Sequence, residues 1–252
     1  MKNKFNIIII SLYVITLFSC DSKDAIDCFQ TAGTTIQEEI ELETFSKIVA
    51  EEEVIVILKQ GDQQKVVIET GENLLNDVKA YVENGQLILK NENSCNYVRD
   101  YELTKIYITS PNLTEIRCAT NRYIKSEGTL TYPNLTILSE NYNSDYLASG
   151  DVELILDSEK VSVVANGVSI FKISGKAQQL SLNFAANDCR FEGGDFIVDQ
   201  VQVSHKSSND MIVNPQTSLR GTIYSVGDVV SKNRPGTIEV EERYKGKLII
   251  EE

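Results

Sequence analysis

Apolar and polar side chains alternate in short runs along most of this chain. The first group is VIVILKQ (54 to 60), KVVIET (65 to 70), VKAYV (78 to 82) and QLILK (86 to 90). Later come VSVV (161 to 164), LSLNF (180 to 184), VQVSH (201 to 205) and TIYSV (222 to 226). A period of two puts successive side chains on opposite faces of a strand, and no long stretch carries apolar residues at the 3.6 spacing of a helix, so the chain is predicted to be β almost throughout. Gly61-Asp62, Gly71-Glu72 and Asn84-Gly85 separate the first four runs and predict hairpin-like strands. Asn84-Gly85 suits a type I′ turn, because both positions tolerate a positive φ.

Past residue 100 the pattern repeats. Pro111-Asn112-Leu113-Thr114 returns as Pro133-Asn134-Leu135-Thr136, an offset of 22. Asn121, Asn143, Asn166, Asn187 and Asn209 follow at intervals of 22, 23, 21 and 22, with Gly227 another 18 on. Asn and Gly enter the left-handed conformation most easily. A bend at each position would stack these residues ~4.8 Å apart as a turn ladder. Gly128, Gly150, Gly175 and Gly194 form a second, looser row. Runs too short to make a sheet alone would then pair in parallel with their equivalents one coil on. The expected fold is all-β, a single-stranded parallel β-helix (solenoid) with a short N-terminal β-hairpin-like portion, its last run KLIIEE (247 to 252) covering one end.

Charge narrows the partners. With 37 acidic against 24 basic residues the formal net charge is −13, which repels phosphate backbones, so no nucleic acid is expected. Lys2 and Lys4 lead into an apolar run from Phe5 to Phe18, and Ser19 precedes Cys20. That layout reads as a lipoprotein signal over residues 1 to 19, too short to span a bilayer, with Cys20 as the lipid attachment site. Residues 20 to 39 read as a flexible tether and 40 to 252 as the domain. The expected location is the cell envelope, anchored to the outer membrane and facing the periplasm or the surface. Cys28, Cys95, Cys118 and Cys189 then remain, and four cysteines in an exported chain allow three full pairings.

Little in the sequence points to catalysis. Asp188, Asp210 and Asp228 each follow a ladder residue, and stacked carboxylates suggest a Ca²⁺ cluster or a glycosidase pair. Asp is also a favoured turn residue in its own right, and no Arg or His is expected to accompany the row. The sole histidine, His205, alternates with Val201 and Val203 and is expected in the core. Serine-nucleophile motifs, a Walker loop and GxGxxG are absent, no cofactor is implied, and no metal site is expected. Tyr123, Tyr142 and Tyr146 lie among Asn and Asp side chains and are the candidate ligand-binding residues, for a glycan or a protein.

FSKIVAEEEVIVILKQG (45 to 61), VVIETGENLLNDVKAYVENGQLILKNENSCNYVRDYE (66 to 102) and LRGTIYSVGDVVSKNRP (219 to 235) resemble the auto-transporter adhesin head GIN domain family over about residues 28 to 240. Members are largely lipoproteins of Bacteroidetes-type bacteria. The resemblance implies a parallel β-helix in the cell envelope and brings no catalytic residues. It includes the segments around Cys28 and Cys95, which favours that disulfide, with Cys95–Cys118 as the alternative and Cys118 and Cys189 otherwise read as small buried thiols. The coils depart from the family in carrying Asn-Asp or Asn-Gly where Gly-Ser-Gly-Asp is more usual. The expected function is a non-enzymatic envelope lipoprotein that displays a rigid binding surface. The alternatives are a β-helix polysaccharide lyase or hydrolase, and a purely structural envelope protein.

Overall fold

The computed structural model describes residues 27–93, 95–100, 102–142 and 146–251; Cys20, the signal segment and Asn143 lie outside them. The described chain is all-β, with two single-turn 3₁₀ segments, Asp27–Phe29 and Leu75–Asp77. Ten short strands come first: β1 Thr35–Ile40, β2 Lys47–Ala50, β3 Ile55–Gln60, β4 Lys65–Gly71, β5 Val78–Glu83, β6 Gln86–Asn91, β7 Lys105–Ser110, β8 Glu115–Cys118, β9 Tyr123–Leu130 and β10 Asn134–Ser139. Four long ones follow, β11 Asp151–Ala165, β12 Ile170–Phe184, β13 Arg190–His205 and β14 Met211–Ile223. The last three, β15 Val229–Ser231, β16 Thr237–Glu242 and β17 Leu248–Ile250, are short again. All seventeen join in one sheet.

Apart from β1–β4, β4–β7 and β5–β6, every pairing is parallel. Each long strand serves two columns. The first half of β11 pairs with β9 and its second half with β10, while β14 passes its first half to β15 and its second to β16. Between the halves two successive residues face solvent: Glu159-Lys160, Gln178-Gln179, Asp199-Gln200 and Gln216-Thr217. Strict alternation forbids such a doublet, so the phase of the pleat resets there and both halves still bury their apolar residues.

The core is two ladders of inward side chains. In the first, Ile106, Val56, Ile124, Val152, Phe171, Phe191, Met211 and Val229 are matched strand by strand and buried. In the second, Leu87, Ile48, Ile116, Ile137, Val163, Leu182 and Val203 are matched likewise. Burying such a side chain stabilises the fold by about 1.5–3 kcal/mol, and an unbroken stack exposes none of its members to water. Phe171 and Phe184 add a tilted ring contact at 5.5 Å.

Three expectations change. The runs at 54 to 60 and 65 to 70 do not pair with each other; β7 lies between them, presenting Ile106 and Ile108 to both. A turn reverses the chain without deciding which strand fills the neighbouring slot. Residues 35–39, read as the end of the tether, form β1 with Ile40 against β4; most of its side chains face solvent, so it shows no alternation. TIYSV (222 to 226) is not the equivalent of VQVSH, because β14 ends at Ile223, the partner of His205. Asn84 and Gly85 have φ of 51° and 73° and join β5 to β6 as a tight two-residue turn.

Candidate functional site

The connections that return the chain from the second column to the first carry the predicted ladder. Of its described members only Asn187 is left-handed, with φ of 57°. Asn121, Asn166 and Asn209 take other roles, because the returns differ in length and place their asparagines at different points of the turn. Asn166 donates from Nδ2 to Asn141 Oδ1 at 3.0 Å and accepts at its own Oδ1 from the Asn141 amide. Asn187 Nδ2 donates to the Asn166 carbonyl, so amides do link successive turns here. Asn121 instead accepts the Glu53 amide N–H, and Asn209 accepts from Arg190 at 2.9 Å. Gly227 is required for space: a Cβ there would lie 2.1 Å from the Asn209 carbonyl oxygen and 2.8 Å from His205 Nε2.

The aspartate row is also re-registered. Phe191 pairs with Met211, so the residue level with Asp210 is Arg190 and not Asp188. The Arg190 guanidinium lies 3.6 Å from the Asp210 carboxylate, contrary to the expectation that no basic residue accompanies the row. Asp151, Asp210 and Asp228 each precede the first inward residue of a strand and accept a backbone N–H at the head of the next parallel strand, from Ile170, Asp228 and Lys247 at 2.9, 2.9 and 2.7 Å. Asp188 bonds the Ser208 hydroxyl. These carboxylates satisfy amides that the turns leave open. Among the described residues no group of three or more His, Cys, Asp or Glu is placed to hold a metal ion.

His205 is fully buried, edge-on to Phe184 at 6.5 Å, with neither ring nitrogen at hydrogen-bonding geometry to a partner. Desolvation pushes its pKa below the ordinary value, against the opposing pull of Asp210, the Asn209 backbone and Asp228. Cys28 and Cys95 form a disulfide with Cα atoms 4.5 Å apart. Cys118 and Cys189 are free and buried, and burial pushes their thiols up to about 12 and about 11, which leaves them inert at neutral pH.

The three tyrosines do not form one cluster. Tyr142 is exposed in the connection after β10, whereas Tyr146 is half-buried with Arg117 5.3 Å over its ring. Tyr123 heads β9 and lines a depression of about 350 Å³ with Glu153, Ile170 and Lys172. A second depression, of about 440 Å³, shares Glu153 and Lys172 and continues past Glu192 and Ile212 to Lys232. Together they make one outer track that crosses β9, β11, β12, β13 and β14. Lys125, Glu153, Lys172 and Glu192 are matched across four consecutive strands, so the sign alternates along its floor at each ~4.8 Å step.

Bulges lie along the track. The register shifts between Glu153 and Ile155, between Lys172 and Gly175 and between Glu192 and Ile197 fall side by side. Such bulges re-aim side chains. Gly175 has φ of 99°, and a Cβ there would lie 2.1 Å from the Leu156 carbonyl oxygen. The signal for the track was present as K/E at matched positions, but it is readable only once the strand register is known.

The family model of the putative auto-transporter adhesin, head GIN domain, matches residues 44–235, and the chain belongs to that family. No curated protein matches the chain. A putative adhesin of Bacteroides fragilis NCTC 9343 superposes with a TM-score of 0.76 at 22% identity, over 88% of this chain and 99% of that one. A putative adhesin of Parabacteroides merdae ATCC 43184 gives 0.59 at 15% identity, over 87% and 97%. A protein of Parabacteroides distasonis ATCC 8503 described as putative lipid binding gives 0.58 at 14%, over 86% and 97%. Likeness at these identities concerns the fold.

Proposed function

We propose that the chain is a non-enzymatic, envelope-displayed adhesin whose sheet is wound as a parallel β-helix and whose outer track holds an extended, uncharged glycan. The track from Tyr123 to Lys232 carries this reading. Its four floor charges cancel, so it favours neither a polyanion nor a polycation. Donors and acceptors alternate along it, while Tyr123, Ile155, Ile170 and Ile212 offer apolar faces to sugar rings. Five strands give it a length of roughly 19 Å, suited to an oligomer rather than a small metabolite. The winding is supported by parallel partners that recur at intervals of 18 to 20 residues from Val152 to Phe171, Phe191, Met211, Val229 and Leu248. Family membership supports the cell envelope, and the leader ending at Cys20 supports a lipid anchor on the outer membrane. No helix among the described residues is long and apolar enough to cross a membrane.

Non-enzymatic action is supported by the engagement of the aspartates in backbone bonds and by the burial of His205. The test is a panel of neutral envelope polysaccharides immobilised against residues 27 to 252. Capture should weaken about tenfold or more in Tyr123→Ala combined with Lys172→Glu, and should persist in Tyr142→Ala. Equal capture by all variants removes the track from the proposal.

A further inference from the structure

At the N-terminal end of the stack, away from the track's floor, lies a polar recess of about 270 Å³ lined by Glu53, Asn91, Asn93, Asn96, Glu102 and Arg122 among others. Four separated stretches of chain build it. Arg122 pairs with Glu53 through Nε and Nη2 and lies 3.7 Å from Glu102. Both glutamates hold a left-handed backbone, with φ of 60° and 63°. Non-glycine residues persist in that region only where the surroundings over-determine them, and such residues gather at ligand sites. The segment carrying Asn93 and Asn96 is fastened from the other side by the Cys28–Cys95 bond and by the Tyr97 amide donating to the Cys28 carbonyl at 3.0 Å.

Two features select a ligand. The Asn93 amide nitrogen donates to the Leu74 carbonyl and to Asn91 Oδ1, at 3.0 and 2.7 Å. Both neighbours only accept, which fixes the orientation of the side chain and leaves its Oδ1 buried with no hydrogen-bond partner among the described residues. That one acceptor on the recess wall therefore lacks a donor. Next in sequence to Asn96, Tyr97 packs on Phe29 with ring centroids 5.7 Å apart, and the two residues are 75% and 51% exposed. Paired exposed aromatics beside amide, carboxylate and guanidinium groups offer a stacking face together with in-plane donors and acceptors.

We propose that this recess is a second, separate binding site, for a single neutral hexopyranose unit such as the end of a glycan chain. Its hydroxyls supply the missing donor to Asn93 and bridge Arg122 and Glu102, and its apolar face rests on Tyr97. A charged ligand fits less well, since carboxylates and guanidinium already neutralise each other along the wall. This site does not depend on the reading of the outer track.

Saturation-transfer NMR on residues 27 to 252 tests it with glucose, galactose, mannose and N-acetylglucosamine at millimolar concentration, and with free glycine as the charged comparator. Transfer to at least one sugar is expected, with affinity weakened about tenfold in Tyr97→Ala, whose exposed ring leaves the fold intact, and lost in Asn93→Leu. It should be unchanged in Tyr123→Ala combined with Lys172→Glu, which separates the recess from the track. No transfer to any of the four sugars, transfer that survives Tyr97→Ala, or transfer to glycine alone overturns the proposal.

Discussion

Single side chains in the return turns do work that their identity alone does not disclose. Asn187 combines a left-handed φ with an amide bond to the Asn166 carbonyl. Asn187→Val should therefore destabilise by about 1–3 kcal/mol through strain, and Asn187→Gly by less, since glycine keeps the conformation and loses only the bond. Chemical denaturation of the two variants checks the order. His205 gives a pH prediction with a definite sign. Its folded pKa lies below the value of 6.5 that it takes in the unfolded chain, so below that pH the unfolded state binds the proton and the folded state resists it. Stability should fall as the pH drops from 7.5 towards 5.5, ahead of the carboxylate range. A His205→Phe variant, placed against Phe184, should lose that part of the slope, as denaturant midpoints at the two pH values will read.

At the scale of elements, the strands stand or fall by the inward ladders. Phe191 lies between Phe171 and Met211 in the first, so Phe191→Ala should cost about 3–5 kcal/mol. Glu192→Ala, one residue on and facing out, should stay within about 1 kcal/mol. Thermal unfolding of the pair compares them directly. Period-two alternation disclosed these strands in the sequence, and Asn84-Gly85 disclosed its turn, because both are local physics. The register between parallel strands was not legible. Asparagines in returns of unequal length gave spacings near 22, whereas the matched core residues of the first ladder from Val152 to Leu248 recur every 18 to 20. The clearer marker was the polar doublet at each corner, Gln178-Gln179 for one, where alternation breaks. The same error of register placed Asp188 with Asp210 and hid Arg190. Side chains that meet across neighbouring strands, such as Lys172 and Glu192, cannot be found until that register is right.

Over the whole molecule, the proposed binding is a property of the outer surface, because among the described residues Cys118, Cys189 and His205 are buried and Asp151, Asp210 and Asp228 accept backbone N–H groups. The candidate tyrosines divide accordingly. Tyr146 belongs to the Arg117 contact and Tyr142 is exposed in the connection after β10, while Tyr123 opens a track that alternates in charge and spans five strands. Isothermal titration of a captured neutral oligosaccharide into residues 27 to 252 reads binding and turnover together. An isotherm that saturates at a fixed stoichiometry and returns to baseline, and that weakens about tenfold in the Tyr123→Ala, Lys172→Glu variant, is expected. Continued heat after saturation that disappears in Asp210→Asn, or an isotherm indifferent to the track variant, would contradict a binding module that works through this surface.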